Sequence, residues 1–123
     1  MNKTNSRLLG RWGEGQAAQF LQQKGYSIIA ARWCCRFGEI DLVAENQEYL
    51  VFVEVKLRKN AVYGSGAEFV HGAKQQKLKT TAMLYLQQHP TEKQPRFDVV
   101  ELLAPNGMET KAPEIRHIVD AFS

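Results

Sequence analysis

Two short runs, Gly38-Glu39-Ile40-Asp41-Leu42-Val43 and Val51-Phe52-Val53-Glu54-Val55-Lys56, restrict this chain more than any other part of it. Both are apolar and β-branched enough to be strands buried in a sheet. Yet together they carry three carboxylates and a lysine at strand spacing. Carboxylates are rarely fully buried unless they are paired or hold a metal. Adjacent strands that break this rule together mark a site, because local rules give way where chemistry requires it.

The flanking sequence supplies the frame. Glu45-Asn46-Gln47-Glu48 is a polar tetrapeptide suited to a hairpin loop between the two runs. Arg7 to Lys24 reads as a helix with Leu9, Ala17, Phe20 and Leu21 inward, and Gly25 is placed to end it. Tyr26 to Trp33 is β-prone, and Lys56 to Gly66 reads as a basic loop. A second helix starts within 66–73 and runs to about His89-Pro90, with Leu78, Ala82, Tyr85 and Leu86 inward. Ser65 and Glu68 suit a capping box at its start. Arg96 to Leu103 is a further strand, Pro105-Asn106-Gly107 a turn, and Ile115 to Phe122 a last short strand. This order predicts one α/β domain over residues 1–123, a mixed β-sheet flanked by helices.

Composition narrows the setting. The chain is 44% apolar and 24% charged, the profile of a soluble globular protein. No apolar run approaches the roughly 20 residues of a membrane span. The polar start, Asn2 to Ser6, has no signal-peptide core, so the cytoplasm is the expected compartment and no membrane is expected as a partner. Cys34 and Cys35 are adjacent and would point to opposite faces of a strand, which makes them reduced thiols. Net charge is +3, but residues 1–88 hold 12 Lys/Arg against 7 Asp/Glu. The half with the unusual carboxylates is the basic half, which suits a polyanionic partner.

Strand alternation assigns Glu39, Asp41 and Val43 to one face, with Ile40 and Leu42 on the other; Phe52, Glu54 and Lys56 share a face of the next strand. A hairpin centred on Asn46-Gln47 puts Asp41 across from Phe52 and diagonal to Glu54, with Glu39 opposite Glu54. One residue of slip changes that pairing. Glu14 lies seven residues before Leu21, within roughly 20° of it around the helix, so it borders the buried face. Gly13 and Gly15 beside it leave room for another segment to approach. Carboxylate oxygens favour a hard ion such as Mg²⁺ or Mn²⁺, which lowers the pKa of a bound water and neutralises charge on a phosphate. Lys56, two residues from Glu54, projects from the same face and can orient the nucleophile. Asp41, Glu54 and Glu14 are therefore the expected metal ligands, and with Lys56 the expected catalytic set.

Other residues read less sharply. Glu39 either supports the site or pairs with Arg36. Arg58 and Lys59, in the basic loop, and Lys74 and Lys77, on one helical stripe with Thr81, are expected contacts to nucleic-acid phosphates. Solvated basic surfaces are the competing reading of both groups, and a cross-strand salt-bridge cluster competes for Asp41, Glu54 and Lys56. Trp12 and Trp33 read as core. His71, His89 and His117 are scattered with no zinc spacing, and Asp98 reads as a cap or a partner near the sheet edge.

The ordered set Glu14, Asp41, Glu54-Val55-Lys56 resembles the PD-(D/E)xK nuclease superfamily, although no proline precedes Asp41. It resembles more closely the small bacterial YraN family, described as endonuclease-like. The likeness runs through Gly10…Gly13-Glu14, Gly25-Tyr26, Arg36 to Leu42, Val51 to Lys56 and Arg96-Phe97-Asp98-Val99-Val100. Archaeal Holliday-junction resolvases are similar in order and size. The resemblance implies a restriction-endonuclease-like core, a Mg²⁺- or Mn²⁺-dependent endonuclease acting on DNA, branched DNA as a substrate class and a homodimer as an open arrangement. The alternative is a non-catalytic nucleic-acid-binding module that keeps the fold and serves a DNA repair, uptake or recombination complex. A protein–protein adaptor with a structural ion cluster is the third reading.

Overall fold

The run Tyr49–Arg58 (β3) is apolar on both of its faces from Leu50 to Val53, and it lies at the centre of a five-stranded sheet. The computed structural model describes residues 3–59 and 72–122. The strands lie in sequence order across the sheet: Ser27–Cys35 (β1), Gly38–Glu45 (β2), β3, Gln94–Leu103 (β4) and Glu114–Phe122 (β5). Neighbours are antiparallel except β3 and β4, which run parallel and are joined through the helix Gly72–Gln88 (α2). The N-terminal helix is Lys3–Gln23 (α1). This is an α/β fold with a mixed sheet, consistent with a restriction-endonuclease-like core.

Each helix covers one face. Ala17 and Leu21 of α1 are buried with Leu42, Val51, Val53, Val100 and Leu102. Leu78, Ala82 and Tyr85 of α2 are buried with Ile40, Val43, Leu50, Phe52 and Val99. Trp33 joins the second cluster, its ring edge-on to Tyr85 at 5.2 Å, so it is a core residue as expected. Gly25 ends α1 at a φ of +96°, a conformation glycine adopts without strain. Its N–H donates to Gln22 O and that of Tyr26 to Leu21 O, both at 3.0 Å, the paired bonds of a Schellman cap.

Several expectations are corrected. β3 keeps Lys56 on the strand and continues to Arg58, so Arg58 belongs to a strand and not to a loop. The last strand spans nine residues and is not short. The expected capping box at Ser65 and Glu68, the glycines Gly64 and Gly66, and His71 lie outside the described residues. Thr81, read as part of a solvent stripe, is fully buried, and its hydroxyl donates to Lys77 O at 2.8 Å.

The β2–β3 register is shifted by two residues from the expected one. Val43, not Asp41, faces Phe52, and Leu42 faces Val53; Glu39 pairs with Cys34 of β1 and not with Glu54. Asn46 is the cause. Its Oδ1 accepts from the N–H groups of Glu48 and Tyr49 at 3.0 and 2.8 Å, while Asn46 N–H donates to Tyr49 O. This side-chain-closed turn centres the hairpin on Gln47-Glu48 instead of Asn46-Gln47.

Alternation also fails in β2. Ile40 packs in the α2 cluster, but Leu42, two residues on, packs in the α1 cluster. β1 breaks at the same level. Arg32, between the pairs Ala31–Leu42 and Trp33–Ile40, has a φ of +49°. Asp41 therefore sits where both strands change face, at the end of the described β2–β3 ladder.

Candidate active site

Past Leu42–Val53 the two strands cease to pair backbone to backbone, and a side chain replaces the ladder. Asp41 Oδ2 accepts the Val55 N–H at 2.8 Å. This bond ties Asp41 to the residue between Glu54 and Lys56. Glu54 is buried, with its side chain 7% exposed. Burial pushes the Asp41 carboxyl up from 3.8 to about 7; the charges of Glu54 and Glu14 add to the rise, while the Val55 N–H and Lys74 oppose it. Asp41 thus resists ionisation, chiefly because it is buried.

Two lysines meet Glu54. Lys74, from the first turn of α2, places Nζ 2.6 Å from Glu54 Oε1, and Lys56 Nζ lies 3.7 Å from the same oxygen. Burial and the neighbouring Lys74 charge lower the Lys56 pKa, with Glu54 opposing them. Burial pulls the Lys74 pKa down most strongly of any single cause, but the hydrogen bond and charge of Glu54, with Lys56 and Asp41, together outweigh it and raise the pKa. Lys56 is therefore the lysine whose proton is held more loosely. Lys74, expected as a phosphate contact alone, is part of the carboxylate cluster.

Glu14 approaches from the α1 side. A Cβ on Gly13 would collide with the Leu57 side chain, so that glycine lets α1 press against β3, whereas Gly15 has open space around it. Close approach is thus needed at Gly13 only. Glu14 acts on Asp41 through its charge, but its Oε1 is bound by Arg32 Nη1 at 3.0 Å. Arg32 was not among the residues singled out in the sequence. The signal that finds it is its positive φ, a conformation non-glycine residues hold mainly where surrounding structure demands it.

The remaining expected residues are more dispersed. Arg58 is drawn into an ion pair with Glu101 at 3.2 Å, its side chain 12% exposed, so it is engaged within the sheet surface. Lys59 and Lys77 are exposed. Glu39 is exposed and lines a cleft of about 100 Å³ with Gly38, Lys74, Lys77, Leu78 and Thr81. It stands beside the carboxylate cluster, not opposite Glu54. Asp98 is fully buried at the centre of a separate ionic group with Arg96, His117 and the Asp120 N–H.

Among the described residues no group of three or more His, Cys, Asp or Glu side chains forms an enclosed metal site. Asp41 and Glu54 are a pair of oxygen donors, with Glu14 tied to Arg32. Mg²⁺ demands no cage: it keeps several waters and uses one or two carboxylates plus substrate phosphates. The donors fit such an ion, and Asp41, raised by burial and by the charges of Glu54 and Glu14, is the donor that a cation would help to ionise.

The family model described as "Uncharacterised protein family UPF0102" matches residues 13–102, the stretch that contains Glu14, the β2–β3 hairpin, α2 and most of β4. The chain belongs to the UPF0102 family. This is the YraN family that the motifs resemble. A UPF0102 protein of Syntrophomonas wolfei is 43% identical over 118 residues, covering 95% of this chain and 99% of that protein. One from Caldanaerobacter subterraneus subsp. tengcongensis is 39% identical over 123 residues, covering 99% and 100%. Another from Herpetosiphon aurantiacus is 40% identical over 116 residues, covering 90% of each. UPF0102 membership thus spans nearly the whole chain. No helix among the described residues is long and apolar enough to cross a membrane.

Proposed function

We propose that this UPF0102 protein is a Mg²⁺- or Mn²⁺-dependent endonuclease-like enzyme that hydrolyses a phosphodiester of DNA. The observation that supports it best is the junction at Val55. There Asp41 is bonded to the backbone between Glu54 and Lys56, which brings an acid pair and a pKa-lowered lysine together.

Asp41 and Glu54 would hold the ion, and Glu14 would add negative charge from the α1 side. When bound, the ion supplies a Lewis acid that polarises the phosphate and acidifies a water. The protein groups do the rest. The Val55 N–H fixes the Asp41 carboxylate, and Lys74 and Lys56 orient that of Glu54. Lys56 donates a hydrogen bond to a phosphate oxygen or to the attacking water, a task its lowered pKa suits. Lys77 and Lys59, both exposed, would carry the strand by backbone phosphates.

The second reading is a non-catalytic DNA-binding module. The 2.6 Å Lys74–Glu54 pair favours it, since an ammonium already neutralises the more buried acid. A gel panel of single-stranded, duplex, flapped and four-way DNA with Mg²⁺ or Mn²⁺ separates the two. Cleavage is expected, and it should be lost in Asp41→Asn and Lys56→Ala while binding persists. Salt-sensitive binding without cleavage of any substrate would leave the binding module, and no binding at all would leave the adaptor.

A further inference from the structure

The two-residue connection between β1 and β2 is Arg36-Phe37. Two-residue hairpin turns favour Asn-Gly or Gly-containing pairs, whose backbones enter the left-handed region without strain. A long cation followed by a large aromatic is therefore unexplained by turn chemistry. Neither residue is spent on the core. Phe37 is 38% exposed, and the Arg36 guanidinium lies over its ring at 4.7 Å from the centroid. The connection leads straight into Gly38 and Glu39, which line the 100 Å³ cleft with Lys74 and Lys77. Lys74 in turn touches Glu54. The tip, the cleft and the carboxylate cluster thus form a continuous path.

That path alternates in the way a single nucleic-acid strand does. A guanidinium stacked over an aromatic ring gives a flat cationic surface that accepts a stacked base, and lysines further along the path accept phosphates. Glu39, a carboxylate in the cleft wall, opposes a phosphate but accepts from the exocyclic amino group of a base. In continuous duplex the bases are stacked on each other and present no free face. We propose that Arg36-Phe37 is a stacking platform for an unpaired nucleobase, which leads a single-stranded segment past Lys74 and Lys77 toward Asp41 and Glu54. This rests on the nuclease reading for its substrate class, and it specifies which part of a branched DNA is recognised.

The test uses the full chain in Ca²⁺, a flapped DNA with 2-aminopurine in the flap next to the junction, and a blunt duplex of the same sequence. Wild type is expected to bind the flapped DNA more tightly and to quench the fluorophore. Phe37→Ala should weaken flap binding roughly tenfold or more, in line with stacking energies per base, and abolish quenching. Its affinity for blunt duplex should not change. Phe37→Leu, which keeps an apolar side chain at the tip, guards against a folding defect: it should melt as wild type does and still lose quenching. Equal flap affinity and quenching in wild type and Phe37→Ala would overturn the platform, whether or not the protein cleaves. Phe37-dependent binding without cleavage in Mg²⁺ or Mn²⁺ would instead keep the platform and remove the nuclease reading.

Discussion

Asp41 occupies a position that opposes its own ionisation. Burial and the charges of Glu54 and Glu14 raise its pKa from 3.8 to about 7, against the pull of the Val55 N–H and Lys74. The folded value lies above the unfolded one, so the folded protein binds the extra proton between them. The associated stability is full below the unfolded value and is lost as pH rises through about 7. Asp41→Asn keeps an oxygen for the Val55 N–H and removes the charge. The variant should be more stable than wild type at pH 8 and close to it at pH 4, as urea unfolding at both values would show. Mn²⁺ should raise the wild-type Tm more at pH 8 than at pH 5.5, because the ion competes with that proton. The clustering of Asp41 and Glu54 was legible because apolar neighbours surround both carboxylates in the sequence. Arg32 was not, since a single arginine in a β-prone run carries no mark of the positive φ it adopts.

At the scale of elements, the approach of α1 to β3 depends on Gly13. Overpacking the Leu57 contact with Gly13→Val should destabilise the protein by about 1–3 kcal/mol. Leu57→Ala in the same chain should restore part of that loss, and a double-mutant cycle by denaturant unfolding measures the coupling. An additive pair would show that the two residues do not oppose each other. The helix and strand assignments themselves rest on local pattern, and they survive in the structure with shifted ends. The register does not rest on that pattern. It follows from Asn46 Oδ1 closing the turn on Glu48 and Tyr49, a choice that a polar tetrapeptide leaves open.

For the whole molecule, two of the ionic groups on the sheet differ in character. In the cluster at Asp41, burial and the neighbouring carboxylates hold that carboxyl toward its protonated form, whereas the partners of Asp98 hold it ionised. Arg96 Nε and Nη2 donate to its two oxygens at 2.8 Å, and His117 Nε2 and the Asp120 N–H lie 2.7 and 2.9 Å away. Burial alone would raise the Asp98 pKa, but these partners outweigh it and hold the carboxyl below its usual range. Arg96 also donates to Tyr26 Oη and lies over the Tyr49 ring, so the group ties β4 and β5 to the start of β1. Asp98→Ala leaves a buried guanidinium uncompensated and should cost about 3–5 kcal/mol, read by thermal or urea unfolding. Cleavage activity in the fraction that stays folded should survive, because Asp98 is not part of the Asp41 cluster.

Local sequence pattern was enough for the element order, the α/β class, the helix-ending role of Gly25 and the presence of carboxylates and a lysine in adjacent buried strands. Those properties depend on periodicity and on backbone preference, which act within a few residues. Long-range packing is what bonds Asp41 to Val55, joins Lys74 to Glu54, sets Arg32 on Glu14 and turns Arg58 to Glu101. Each is a contact between segments far apart in the chain. Strand alternation could not foresee them, because it fails at Asp41 and Arg32, where β2 and β1 change face together.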